Sequence, residues 1–297
     1  MKKQNLILLM GSLLLLNNAL TFGQEPIDSN RQENDYYSVL GMTFNRKTFR
    51  DFATSPLFYN GVGSDFQAGW LRRSKASERM FDIGLGVNAF FARVPTSDFL
   101  QSGSTAFMLQ LNSTYSQLFE IGKISTDKNN IKVGGLIHLT QNIRSNFGLF
   151  NNGLGLENST NIMASGQIIR DISRNAPKEL NLLVFKPTLK PVKRDLRFQL
   201  NAGILNFNYR PSYAYSYEGE IIGMETQPIS WVLSSYKWSL NGWRFNTEIE
   251  FIKYLPNGNA RSWSYVWDAL QMPGRHENFQ MASHQIRYRI FFQTKKR

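Results

Sequence analysis

The sequence predicts an all-β chain, a single transmembrane antiparallel up-and-down β-barrel of about twelve strands, with ten to fourteen as the range. Three observations carry that expectation. Apolar and polar residues alternate with a period of two, which sends successive side chains to opposite faces of a sheet. Several alternating runs reach 10–16 residues, longer than the roughly 5–6 typical of soluble strands and suited to a tilted membrane strand of about 9–11. The N-terminus reads as an export signal.

That signal comes first along the chain. Lys2 and Lys3 precede an apolar run over residues 6–16 and a small-residue exit at Thr21, Phe22 and Gly23. Eleven residues are too few to cross a bilayer, which takes about 20 as helix, so residues 1–23 read as a cleaved signal peptide cut before Gln24. Residues 24–35 then form a short periplasmic segment, 36–293 the barrel, and 294–297 a basic tail. Removal of the leader takes two of the 34 basic residues and none of the 22 acidic ones, leaving a formal charge of +10. The chain has no Cys, so neither a disulfide nor a thiolate is available.

Four strands are well patterned. In residues 81–91, Phe81, Ile83, Leu85, Val87, Ala89 and Phe91 oppose Asp82, Gly84, Gly86 and Asn88, with Phe90 as the exception. Leu196, Phe198, Leu200, Ala202 and Ile204 oppose Arg197, Gln199, Asn201 and Gly203. Trp243, Phe245, Thr247, Ile249 and Phe251 oppose Arg244, Asn246, Glu248 and Glu250, and Ile286, Tyr288, Ile290 and Phe292 oppose Gln285, Arg287 and Arg289. Weaker runs at 36–46, 61–73, 104–119, 130–141, 160–171, 179–190 and 228–240 bring the set to eleven. An even number requires one more, either 261–270 or a piece of 143–156.

Alternation alone also fits a soluble sandwich, in which the apolar face packs on a second sheet. Strand length and the aromatics near strand ends, Trp70, Phe91, Trp238, Trp243 and Tyr288, favour a barrel with aromatic girdles at the headgroups. Phe81, Ile83, Leu85, Val87, Phe198, Leu200, Phe245, Ile249 and Ile290 are then expected to face lipid. Asp82, Arg197, Arg244, Glu248, Glu250, Arg287 and Arg289 are expected to line the lumen. Tyr213, Tyr215 and Tyr217, and Trp263 and Trp267, belong either to binding loops or, for the second group, to a girdle on a twelfth strand.

The Lys2-Lys3 start, the Phe22-Gly23-Gln24 exit, the glycine-rich strand 81–87 and the ending 286–292 resemble integral outer-membrane β-barrel proteins of Bacteroidota-type bacteria. The resemblance implies an outer-membrane location and lipid as the first partner, with other envelope proteins as further candidates; it points to no subfamily. One departure is that Phe292 is followed by five more residues instead of ending the last strand.

Catalytic chemistry finds little support. Of His138, His276 and His284, none is surrounded by a lipase motif, and a serine nucleophile needs an oriented base. Glu248 and Glu250 share a face with arginines and read as a salt-bridge ladder. There is no clustered His or Cys at metal-ligand spacing and no phosphate-cradling Gly-rich turn. Export and the lack of a nucleic-acid-binding motif argue against nucleic acid. The expectation is therefore a barrel that is not an enzyme and holds no cofactor or metal: a narrow porin-like channel for small solutes, alternatively a non-conducting scaffold or partner subunit of an envelope complex, or else a soluble periplasmic β-protein. Four inward arginines against three inward carboxylates on the best strands would give a conducting lumen weak anion preference.

Overall fold

A computed structural model describes residues 34–52, 54–55, 57–93, 103–146, 154–179, 188–189, 191–211, 236–273 and 278–296, all within the compact unit Glu33–Arg297. The signal peptide, Tyr213, Tyr215, Tyr217 and His276 lie outside the described residues. The strands are β1 Asp35–Asp51, β2 Tyr59–Arg73, β3 Ser77–Arg93, β4 Gly103–Glu120, β5 Asn129–Asn146, β6 Leu154–Asp171, β7 Lys178–Glu179, β8 Thr188–Leu189, β9 Arg194–Pro211, β10 Tyr236–Leu240, β11 Trp243–Tyr254, β12 Ala260–Met272 and β13 Phe279–Lys296.

The sheet closes on itself. β1 pairs with β13 from Asp35↔Lys296 to Asp51↔Phe279, and the antiparallel order runs on through β2, β3, β4, β5 and β6 to β9, β11, β12 and back to β13. Among the described residues every wall strand except the short β10, which pairs with β9 alone, therefore has two neighbours, and the closed part of the wall offers no edge to another chain. Both ends of the barrel sequence lie at one rim, the terminus end. Turns there include Ser74–Ala76 between β2 and β3 and residues 255–259 between β11 and β12.

Among the described residues the wall has ten strands, not about twelve, and two runs account for the difference. In the region 179–190, Lys178–Glu179 and Thr188–Leu189 pair with each other as a small hairpin apart from the wall. In the region 228–240, the described part, β10, lies on the far half of β9, from Tyr236↔Pro211 to Leu240↔Phe207. β11 lies on the near half, from Phe245↔Ala202 to Lys253↔Arg194. β10 and β11 are thus two pieces of one wall strand, interrupted at Asn241–Gly242. Gly242 has φ +95° and a Cβ there would meet the Gln271 carbonyl oxygen at 2.2 Å, so only glycine fits this break. Opposite it, β9 carries a bulge: Ile162 pairs with Leu205 and Met163 with Gly203, which leaves Ile204 extra and reverses the phase of the rest of β9.

Of the two places open to Trp263 and Trp267, a loop or a further strand, the segment takes the second, as wall strand β12. One further expectation is corrected. β13 continues through Lys296, so the basic tail expected at 294–297 is, up to that residue, paired strand.

Charge is sorted by face. On β3 the even residues point inside and Phe81, Ile83, Leu85, Val87, Ala89 and Phe91 outside; Phe90, the exception in the pattern, is an inward residue almost fully buried. The same division runs round the wall. Every Asp and Glu in the described wall strands, from Asp35 to Asp268, lies in the inward phase. The outward charges are all cations near the rims: Arg72, Arg79, Arg170, Arg194, Lys253 and Arg261 toward the terminus end, Arg46, Arg50 and Arg93 toward the other.

Candidate functional site

The inside of the barrel is filled in three tiers. Toward the far end, Phe49, Tyr59, Phe90, Ala92, Ala106, Met108, Leu270, Met272, Phe279 and Met281 form an apolar layer. Phe49 stacks on Tyr59 at 4.8 Å and meets Phe90 edge-on at 4.8 Å. Arg144 completes this tier from β5, its guanidinium 5.0 Å from the Phe49 ring centre and hydrogen-bonded to Asp51 (2.5 Å) and Glu157 (2.9 Å). Toward the terminus end, Tyr37, Val39, Leu71, Met80, Ile252, Ala260 and Phe291 form a second apolar layer, backed by Tyr254.

Between the layers the interior is polar. Arg197 donates to Glu248 (2.9 Å) and lies 2.8 Å from Glu250 and 3.4 Å from Glu78. Arg289 reaches Glu248 at 3.1 Å and Glu250 at 3.4 Å, and Arg287 reaches Glu248 at 3.4 Å. Glu78 also accepts from Arg73 (2.7 Å) and faces Lys132 at 3.8 Å. One net of charge therefore joins β2, β3, β5, β9, β11 and β13. Separately, Arg244 grips Asp268 with two hydrogen bonds of 3.0 and 2.8 Å and donates to Thr140 at 2.9 Å. Lys47 lies 3.6 Å from Asp65 and donates to Gln110. Gly86 makes room for this last pair, since a Cβ there would fall 1.7 Å from Asp65 Oδ1. Ion pairing of this kind offsets much of the cost of holding ionised groups away from water.

The cavity left among these groups measures about 110 Å³ and is lined by, among others, Lys47, Asp82, His138, Arg244, Glu248 and Arg287. It has room for a handful of waters. His138 is tied by both ring nitrogens, Nδ1 to Thr114 Oγ1 at 2.7 Å and Nε2 to Thr140 Oγ1 at 3.1 Å. His284 lies on the outer wall, hydrogen-bonded to the Tyr265 hydroxyl at 2.6 Å. Among the described residues no group of three His, Asp or Glu side chains is placed to hold a metal.

Arg197, Arg244, Glu248, Glu250, Arg287 and Arg289 point into the barrel and, except for Arg244, belong to one net; Asp82 lines the cavity beside them. Ile83, Leu85, Val87, Phe198, Leu200 and Ile249 are exposed on the outer wall, while Phe81, Phe245 and Ile290 share that face half-buried. Trp263 is exposed and packs on Tyr288, ring centres 4.8 Å apart; Trp267 packs edge-on against Phe245. Sequence reasoning missed Lys47, Asp51, Asp65, Glu78, Lys132, Arg144, Glu157 and Asp268. Each sits on the inward phase of its strand, so extending the alternation beyond the short patterned runs would have found them. With these included, the arginine excess read from the best strands is not a property of the whole lumen.

The structure is similar to the translocator domain of the autotransporter NalP from Neisseria meningitidis, at 8% identity and TM-score 0.33, over 96% of this chain and 95% of that one. It is also similar to the transport unit of the autotransporter AIDA-I from Escherichia coli, at 8% identity and TM-score 0.36, over 93% and 96% of the two chains. A third such structure is an outer-membrane channel from Pseudomonas putida F1, at 8% identity and TM-score 0.34, over 90% and 100%. No family model matches the chain, and neither does any curated protein sequence. Likeness at this level leaves function to be argued from the wall and lumen of this chain.

Proposed function

We propose that the chain is an integral outer-membrane β-barrel, exported through a cleaved leader, whose lumen is closed to solutes in the state described. The observation that carries the membrane reading is the sorting of charge by face. On β3 an unbroken apolar outer row from Phe81 to Phe91 is bracketed by Arg79 and Arg93. Ten residue steps span about 33 Å along the strand, and about 25 Å in height at a usual tilt of about 40°, the thickness of the apolar band of an outer-membrane barrel. At the terminus-end limit of that band stand rings, Trp70 stacked on Phe81 at 5.5 Å and Trp263 on Tyr288. A water-facing wall with Phe44, Phe66, Trp70 and Trp263 more than half exposed would be an aggregation surface.

The closed lumen follows from its filling. Ions crossing it would have to pass two apolar layers and a net of paired charges, and hydrophobic constrictions block ions by excluding water. We therefore favour a non-conducting, non-enzymatic barrel that serves as a membrane-embedded scaffold or subunit. The narrow-channel reading keeps one supporting observation, the polar cavity between the layers, and requires the Phe49–Tyr59–Phe90 layer to move. Planar-bilayer recording separates the two. The wild type should give no conductance steps, whereas the Phe49→Ala/Phe90→Ala double variant should give small ones; steady wild-type conductance would overturn the closed state. Loss of the outer-membrane fraction and of heat-modifiable gel mobility would overturn the membrane reading itself.

A further inference from the structure

The outer wall at the terminus end carries an arrangement that membrane insertion alone does not require. Arg194 on β9, Lys253 on β11 and Arg261 on β12 are register neighbours, Lys253 facing Arg194 on one side and Arg261 on the other. All three lie in the outward phase. Adjacent strands are about 4.8 Å apart, so the three cationic residues leave the wall within about 10 Å of one another. Like charges in facing positions repel, and among the described residues none of the three has a carboxylate partner. Asp195, next in sequence to Arg194, points inside, where it accepts the Tyr254 hydroxyl at 2.7 Å. Arg194 lies over the Phe251 ring at 5.7 Å, and its Nε is buried with no hydrogen-bond partner.

One rung toward the middle of the barrel the neighbours change character. Leu196, Phe251, Trp263 and Tyr288 form the next outward row, in register across the same strands and β13. Between the two rows lies an open groove of about 370 Å³, lined by Phe251, Lys253, Arg261, Trp263 and Tyr288. A comparable pair elsewhere on this rim, Arg72 and Arg79 above Trp70 and Phe81, has only two cations, and Arg72 already donates to Asn34 at 3.3 Å.

We propose that Arg194, Lys253 and Arg261 hold the phosphate of an anionic phospholipid, with the Phe251–Trp263–Tyr288 groove receiving the start of its chains. The site rests on the membrane reading above. A phosphodiester offers two non-bridging oxygens, which match the forked donors of arginine, while lysine adds a point charge. The aromatic shelf suits the glycerol and upper acyl region, where amphipathic rings settle. The ligand thus supplies the negative charge that the wall lacks.

The test uses the full barrel refolded into phosphatidylcholine vesicles containing spin-labelled phosphatidylglycerol or spin-labelled phosphatidylcholine, with the motionally restricted fraction read for each label. Wild type should prefer phosphatidylglycerol, and Arg194→Gln/Lys253→Gln/Arg261→Gln should lose that preference about tenfold. The control, Arg46→Gln/Arg50→Gln/Arg93→Gln, removes the same charge at the opposite rim and should keep it. Equal loss in both triples, or no preference in an inserted wild type, would overturn the site and leave the membrane reading standing. A wild type that never enters the bilayer, judged by heat-modifiable mobility, would overturn both.

Discussion

The two faces of this wall are built from the same strands, yet they handle charge in opposite ways. The inner face gathers the carboxylates of the described wall strands and sets seven of them, Asp51, Asp65, Glu78, Glu157, Glu248, Glu250 and Asp268, against cations at 2.5–3.8 Å. The outer face carries no carboxylate among the described wall residues and confines its cations to the rims. Neither face alone would decide the surroundings of the barrel. Together they describe a molecule turned inside out relative to a soluble one, with its water-like interactions satisfied internally and its apolar surface presented outward.

The comparison can be broken most forcefully from inside. Glu250 faces Arg197 at 2.8 Å and Arg289 at 3.4 Å and is fully buried. Glu250→Ala leaves two buried guanidiniums undercompensated and should cost about 3–5 kcal/mol of folding stability, measured by urea titration in lipid vesicles. A loss under about 1 kcal/mol would mean that the net is hydrated and that the interior is open. On the outer face, Leu85→Arg should cost about 2–4 kcal/mol, and Phe91→Arg, near the rim, only about 0–1. Equal costs at the two positions would remove the depth dependence on which the bilayer reading depends. The smallest effect concerns the girdle: Trp263→Leu keeps the apolar area but loses the ring pair with Tyr288, and should cost about 0.5–1.5 kcal/mol in the same assay. If detergent micelles and bilayers gave sharply different values for this variant, the ring would be reporting on the headgroup layer and not on its partner.

How much of this was legible in the sequence depended on the range of each signal. The phase of β3 and β11 could be read because alternation is local and the side-chain period is two. The strand count failed where local pattern and sheet membership part company. Residues of β7 and β8 carry strand signals but, among the described residues, pair only with each other. β10 and β11 occupy one place in the wall although Asn241–Gly242 separates them. Charge partners were the least legible. Glu78 and Arg197 are 119 residues apart, and Arg144 and Asp51 are 93 apart, so their meeting depends on register and barrel closure together. Phe90 broke the alternation in sequence for a reason visible only in three dimensions: it is a layer-forming residue of the interior.

The seam between β1 and β13 has a consequence for how the molecule is made. Gln293 donates to Asp35 across 258 residues of chain, and closing a loop of that length costs about 5 kcal/mol of chain entropy, nearly all of it before any seam contact is gained. Until that moment the sheet has two bare edges, and Arg287 and Arg289 on β13 lack Glu248 or Glu250 unless β11 and β12 are already beside them. Local hairpins can form early, but the first strand to be synthesised waits for the last. Assembly is therefore slow and dominated by one late event, and the same seam that completes the wall is the place where an unfinished molecule is most exposed to pairing with another.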